Sequence, residues 1–170
     1  MKKILLFLLL VSFIALSTTA QRYAIVDSKY ILDKMPDYKL AQTKLDNFSE
    51  QWQLEIEQKQ TVLDKMYKDY DVEQVMLIDA LKKKREDELY SKEKEIRDLQ
   101  KKRFGFEGDL FKKRQELIKP IQDKVYNAIQ KLAVEKLYDF ILDKSEGITV
   151  IFADPKLDKS DDVLRNMGIK

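Results

Sequence analysis

From residue 38 to about 75 the chain contains neither glycine nor proline, and apolar side chains recur at heptad positions: Tyr38, Ala41, Leu45, Phe48, Trp52, Val62, Met66 and Met76. Such a stretch folds as one long helix, on the order of 55 Å at about 1.5 Å per residue. Glu55, Lys59, Asp69 and Glu73 fall on the same seam. The stripe therefore weakens midway and toward its far end, which argues against a continuous two-stranded zipper. Val75, Met76, Leu77 and Ile78 then form an apolar cluster before Asp79, which can cap a new helix. This places a turn near residues 74–80. The return helix starts at Lys82, Lys83, Lys84 and Arg85 and carries Leu89, Ile96, Leu99, Phe106, Leu110, Leu117, Ile121, Val125 and Leu132. Acid-first pairs four residues apart support it: Glu88 with Lys92, Glu93 with Arg97, Asp98 with Lys102. Gly105, Gly108 and Pro120 interrupt it, each a place for a kink or hinge.

The flanks read differently. Residues 23–27 are a short β-branched apolar run ending in Asp27, as a buried strand leading into a helix should look. Residues 28–35 make a short helix closed by Pro36. Strands are expected at 138–144 and 148–154, joined as a β-hairpin through Ser145, Glu146 and Gly147. Ile148, Val150 and Phe152 lie on one face of the second strand and Thr149, Ile151 and Ala153 on the other, so both sides should be covered. Ser160 caps a last helix, Asp161 and Asp162 favour its positive end, and Gly168 ends it. The fold class is α+β and predominantly helical: a long α-helical hairpin arm, 38–116, projecting from a small β-containing body, 21–37 with 117–170.

Residues 1–20 read as a signal peptide, with Lys2 and Lys3, an apolar run over 4–16 and small residues at Ser17, Thr18, Thr19 and Ala20. The run is roughly 13 residues, short of the about 20 that span a bilayer. Lys2 and Lys3 belong to the 32 basic residues, so without them basic residues equal the 30 acidic ones. A neutral exported chain lacks the net basic face that nucleic acid requires. It also has no Cys and no His, which removes disulfides, histidine and cysteine nucleophile sites and the usual zinc ligands. The scattered glycines leave no phosphate loop. The reading is a non-enzymatic protein with no metal, no cofactor and no catalytic residues.

Met66, Tyr67, Tyr70, Val75, Met76, Leu77 and Ile78 could contact varied apolar partners, because methionine and aromatic side chains adapt at modest conformational cost. Alternatively they pack the two arms together near the turn, a reading that suits Met66 and Met76 on the seam. Basic clusters at 82–85, 101–103 and 112–114 could touch anionic lipid or an acidic partner, but a solvated helix face explains them more simply.

The order strand, short helix, very long hairpin, two strands and terminal helix resembles the Skp (OmpH-like) family of periplasmic outer-membrane-protein chaperones. Ala24, Ile25, Val26 and Asp27 with the helix at Ser28 carry the resemblance, as do 117–122 and the closing segments 148–154 and 160–167. It implies a homotrimer whose strands form a β-barrel body, with three arms around a cavity that holds unfolded outer-membrane β-barrel proteins without ATP in the periplasm of a Gram-negative bacterium. On that view Tyr23, Ile25, Phe140, Leu142, Val150 and Phe152 assemble the trimer. Family members are often strongly basic, whereas this chain is neutral, so a transient contact with a membrane surface or lipopolysaccharide is left open. A structural coiled-coil adaptor or spacer of the cell envelope is the alternative.

Overall fold

A computed structural model of the protein describes residues 21–145, 147 and 150–169. The segment read as a signal peptide lies outside the described residues. The elements are strand β1 (Tyr23–Val26), helices α1 (Ser28–Lys34), α2 (Pro36–Glu73), α3 (Asp79–Phe104), α4 (Asp109–Leu117) and α5 (Lys119–Lys136), strand β2 (Phe140–Asp143), a 3₁₀ turn (Pro155–Leu157) and helix α6 (Ser160–Asn166). The chain is thus predominantly helical with a two-stranded sheet, in the α+β class expected. It divides into two compact units: residues 32–124, and the described residues up to Ile31 with those from Val125 onward. The sequence reading drew these divisions after residues 37 and 116.

In the unit formed by residues 32–124, Pro36 opens α2 at a position where its missing N–H costs nothing. The helix runs 38 residues, about 57 Å. It packs on α3 through Ile56, Leu63, Leu89 and Ile96, with Met66, Tyr70, Leu99 and Phe104 against them. The seven-residue spacing is that of a heptad seam, but its phase differs from the expected one: Leu63 is buried whereas Val62 is 55% exposed. Apolar positions step from Phe48 to Trp52 to Ile56 in fours, and this stutter moves the seam around the helix by one residue. Glu55 consequently leaves the seam and flanks it, whereas Lys59, one heptad before Met66, stays on it half-buried. Glu55 pairs with Arg103 at 3.1 Å, and Lys59 with Glu95 at 2.7 Å. Further out, the Tyr67 hydroxyl donates to Glu93 (2.5 Å), the Tyr70 hydroxyl to Glu86 (2.6 Å), and Arg85 pairs with Glu73 (3.2 Å). The bond to Glu86 pushes the Tyr70 hydroxyl up to about 12, and those from Lys59 and Lys92 pull Glu95 down to about 2. Exposed ties of this kind add little stability singly. Together they fix the register of α2 against α3.

Two local expectations change here. Glu93 pairs with Arg97, but Glu88 is taken by Arg85 and Lys92 by Glu95. Ile78, not Asp79, occupies the cap of α3, without a side-chain bond. Asp79 sits in the first turn, where the helix dipole favours a carboxylate.

In the other unit, β1 buries Ala24, Ile25 and Val26 and pairs in parallel with β2, Tyr23 opposite Phe140 through Val26 opposite Asp143. The expected β-hairpin between 138–144 and 148–154 is therefore corrected. Residues 148 and 149 lie outside the described residues, and 150–154 form no strand. Pro155 offers no N–H, and the Asp154 carboxylate accepts from the Lys156 N–H (2.9 Å), which draws the chain into the 3₁₀ turn instead of a ladder. The other edge of β1 is met at Asp158, and the Lys159 N–H donates to the Ile25 carbonyl (2.8 Å). Ile151 and Phe152 stand 96% and 84% exposed while Val150 and Ala153 are half-buried, so the described residues leave those two large side chains uncovered.

Asp27 caps α1 as expected, accepting from the Tyr30 N–H at 2.8 Å. Ser160 does not cap α6. Its buried hydroxyl accepts from the Asp27 N–H (2.8 Å) and donates to Asp158 (2.7 Å), and Lys159 takes the cap position. Gly168 ends the segment at φ 74°, with its N–H on Arg165 and that of Ile169 on Leu164, the paired bonds of a Schellman motif.

Two carboxylates hold this unit together. Burial pushes Asp143 up, but hydrogen bonds from Ser28 and Ser145 outweigh it and hold the group below its usual range. Burial also pushes Asp158 up, and the Lys144 ammonium and Ser160 hydroxyl hold it below. A carboxylate lowered in the fold adds stability that is fully present above its unfolded value of about 3.9 and is lost as pH falls through the folded value. Urea midpoints should accordingly be level from neutral pH to about 4.5 and fall below it. Asp143→Asn should flatten that acid limb, read by circular dichroism.

Candidate functional site

The turn between α2 and α3 exposes most of the apolar cluster that the sequence singled out. Val75 is 83% exposed, Met76 78% and Ile78 67%, since residues 74–78 form the turn itself, between the ends of the two helices. Leu77 is half-buried. Met66 and Tyr70 pack on the hairpin core, and Tyr67 is tied to Glu93. The seven expected residues thus separate into an inner set that joins the helices and an outer set that faces solvent. Met76, expected on the seam, belongs to the outer set.

At the other end of α3, Gly105 and Gly108 bracket a sharp break. Phe106 is 98% exposed there and Glu107 takes a left-handed backbone conformation, φ 53°. The break is pinned. The Arg103 guanidinium lies 4.9 Å from the Trp52 ring centroid, pairs with Glu55 on α2, and pairs with Asp109 at the start of α4 (2.8 Å). Trp52 stacks on Phe48 and meets Phe104 edge-on, and Lys113 of α4 sits over Phe48. A Cβ on Gly105 would overlap the Lys101 carbonyl oxygen, and one on Gly108 would lie 2.8 Å from that of Lys102. Replacing both by Ala should cost about 1–3 kcal/mol, since backbone atoms would have to shift. The urea midpoint followed by Trp52 fluorescence measures it.

Sequence reasoning missed this cluster. Arg103 read as one member of a basic run, although Trp52 and Phe48 four residues apart and an Asp just past two glycines were visible.

In the body unit, Tyr23 and Phe140 stack on each other (5.6 Å, 8° between planes) and remain 43% and 44% exposed. Phe152 is exposed, Leu142 and Val150 are half-buried, and Ile25 is buried within its own chain. Ile151, absent from the expected assembly set, is the most exposed apolar residue of this group.

A hollow of about 460 Å³ beside β1 is lined by Asp27, Tyr30, Lys144, Asp158 and Asp161. Its polar groups are engaged in structure: Asp27 caps α1, Lys144 pairs with Asp158 (2.7 Å), and the Tyr30 hydroxyl donates to Asp161 (3.0 Å). Among the described residues no cluster could hold a metal ion, and no helix is long and apolar enough to cross a membrane.

Residues 22–167 match the family model described as outer membrane protein (OmpH-like). The chain belongs to the OmpH-like family. The OmpH-like chain is also similar to the crystal structure of a protein from Caulobacter crescentus CB15 assigned as an outer membrane chaperone (OmpH-like), with 17% sequence identity and a TM-score of 0.69. The likeness covers 91% of this chain and 89% of that one, and at this identity it is a likeness of fold. No curated protein matches the OmpH-like chain.

Proposed function

We propose that the protein is an ATP-independent holdase chaperone of the periplasm, which binds unfolded outer-membrane β-barrel proteins between the arms of a homotrimer and prevents their aggregation. The observation that carries the proposal is the solvent-facing apolar set Val75, Met76, Ile78 and Phe106 on a hairpin whose central buried cluster is only four residues. Val75, Met76 and Ile78 lie together at the turn, and a contiguous exposed apolar patch marks a binding surface. Methionine and branched side chains at a turn suit clients of varied sequence. Many weak contacts hold a client without folding it, because a mobile client keeps much of the entropy that specific docking would cost.

Assembly through the body supports the cavity. Tyr23, Phe140, Ile151 and Phe152 are apolar and outward in the single chain, and a symmetric contact between copies would cover them. Flexing at Gly105 and Gly108 would require Arg103 to release Glu55 or Asp109. The sequence reading also allowed a coiled-coil adaptor or spacer, which needs an apolar seam facing a partner. Here Ile56 and Leu63 are covered by the chain's own return helix. The test is dilution of a urea-unfolded outer-membrane β-barrel into buffer without nucleotide. The purified protein should keep the solution clear at near-stoichiometric amounts, and unchanged light scattering would reject the holdase reading.

A further inference from the structure

The outward flank of α2 carries four apolar residues at the surface: Leu40, Leu54, Val62 and Val72, each between 49% and 69% exposed. At about 100° per residue they fall within an arc of roughly 80° along one side of the helix. The same arc holds the charged Lys44, Lys65 and Asp69 toward its ends, but between Asn47 and Val62 it carries only uncharged residues, Asn47, Gln51, Leu54, Gln58 and Val62. Along that stretch the acidic Asp46, Glu50 and Glu57 lie elsewhere around the helix. Beside Val62 this flank opens into a hollow of about 360 Å³ between α2 and α3. Its size is at the lower end of the about 300–1,000 Å³ over which ligand sites occur, suited to one large side chain.

Val62 and Ile96 supply apolar contact in the hollow, and Gln58 an uncharged amide. Its charges are already balanced: Lys59 and Lys92 both bind Glu95 at 2.7 Å, and Glu55 is held by Arg103. A charged occupant would find no unmet partner. An uncharged ring would find methyl groups below it and two ammonium groups with their aliphatic stems beside its face.

We infer that this hollow is a side-chain site on the arm that seats an aromatic residue of an extended, unfolded client segment, with the rest of the segment lying along the uncharged stretch of α2 between Asn47 and Val62. Outer-membrane β-barrels fit that chemistry, because their strands alternate apolar and polar residues and carry girdles of aromatic residues. The inference rests on the holdase reading and adds to it the side-chain class that the arm selects.

The test titrates the full purified protein with a synthetic peptide of alternating tyrosine and threonine, and with its counterpart in which every tyrosine is leucine, following the Val62 and Ile96 methyl resonances. The tyrosine peptide should shift both resonances and bind about fivefold more tightly than the leucine peptide. Val62→Asp, at an exposed position, should cost a similar factor. Val62→Trp should give the same loss by filling the hollow, and circular dichroism checks that each variant is folded. Unmoved methyl resonances, equal binding of both peptides, or wild-type affinity in folded Val62 variants would each overturn the site. The aggregation assay on the same samples separates the two ideas. A wild-type protein that suppresses aggregation while the peptide result fails leaves the holdase reading standing without this hollow, and one that does not suppress aggregation removes the reading itself.

Discussion

Leu63→Ala should loosen the hairpin by about 2–4 kcal/mol, the range for truncating a buried leucine where the surroundings cannot collapse. Leu63 is 3% exposed and shares its cluster with only Ile56, Leu89 and Ile96 as buried members. The hairpin has few other buried groups with which to absorb the loss. Trp52, the sole tryptophan, lies in this unit and reports its unfolding. The urea midpoint read by Trp52 fluorescence should fall sharply, and amide exchange should speed up on both sides of the cluster. Val62→Ala, at the residue the sequence places on the seam but 55% exposed, should change the midpoint by no more than about 0.5 kcal/mol. Equal effects at the two positions would contradict the shifted seam.

In the proposed trimer, Ile151→Asp combined with Phe152→Asp should give monomers while leaving the helical content intact. Both side chains stand almost wholly in solvent in the single chain, so charge costs the monomer little. In an assembly that covers them, each residue contributes about 1.5–3 kcal/mol per copy through burial, and a carboxylate in its place would be desolvated without a partner. Sedimentation velocity reads the change. A double variant that sediments as the wild type does would place the assembly contact elsewhere in the body.

What the sequence made legible follows the range of the signal. Asp27 as a cap, Pro36 as a corner, the break at Gly105 and Gly108 and the stop at Gly168 are each set by backbone chemistry within a few residues, and each stands where the sequence puts it. Between Val62 and Leu63 local chemistry cannot choose, since both are apolar and adjacent. The choice is made by Leu89 and Ile96 on the return helix and by the stutter at Ile56. The sheet failed for a related reason. Ser145, Glu146 and Gly147 look like a hairpin loop, but β2 finds its partner in β1, at the opposite end of the chain, through a parallel pairing that leaves no local mark.

The candidate surfaces divide in the same way. The apolar tip was visible as a run of four residues, and the exposure of Val75, Met76 and Ile78 follows from their place in the turn between the two helices. The Arg103 cluster was not visible, because a basic run on a helix looks the same whether its last member is solvated or drawn between Glu55 and Asp109 over an indole. The exposure of Ile151 and Phe152 was hidden by their composition, which reads as a strand covered on both faces.

The central claim is that several copies jointly enclose one unfolded client, and native mass spectrometry of the purified complex tests it most directly. Three copies of this chain with one unfolded outer-membrane β-barrel are expected, and three copies when no client is present. A monomer that binds client one-to-one, or a monomer with no client bound, would contradict it.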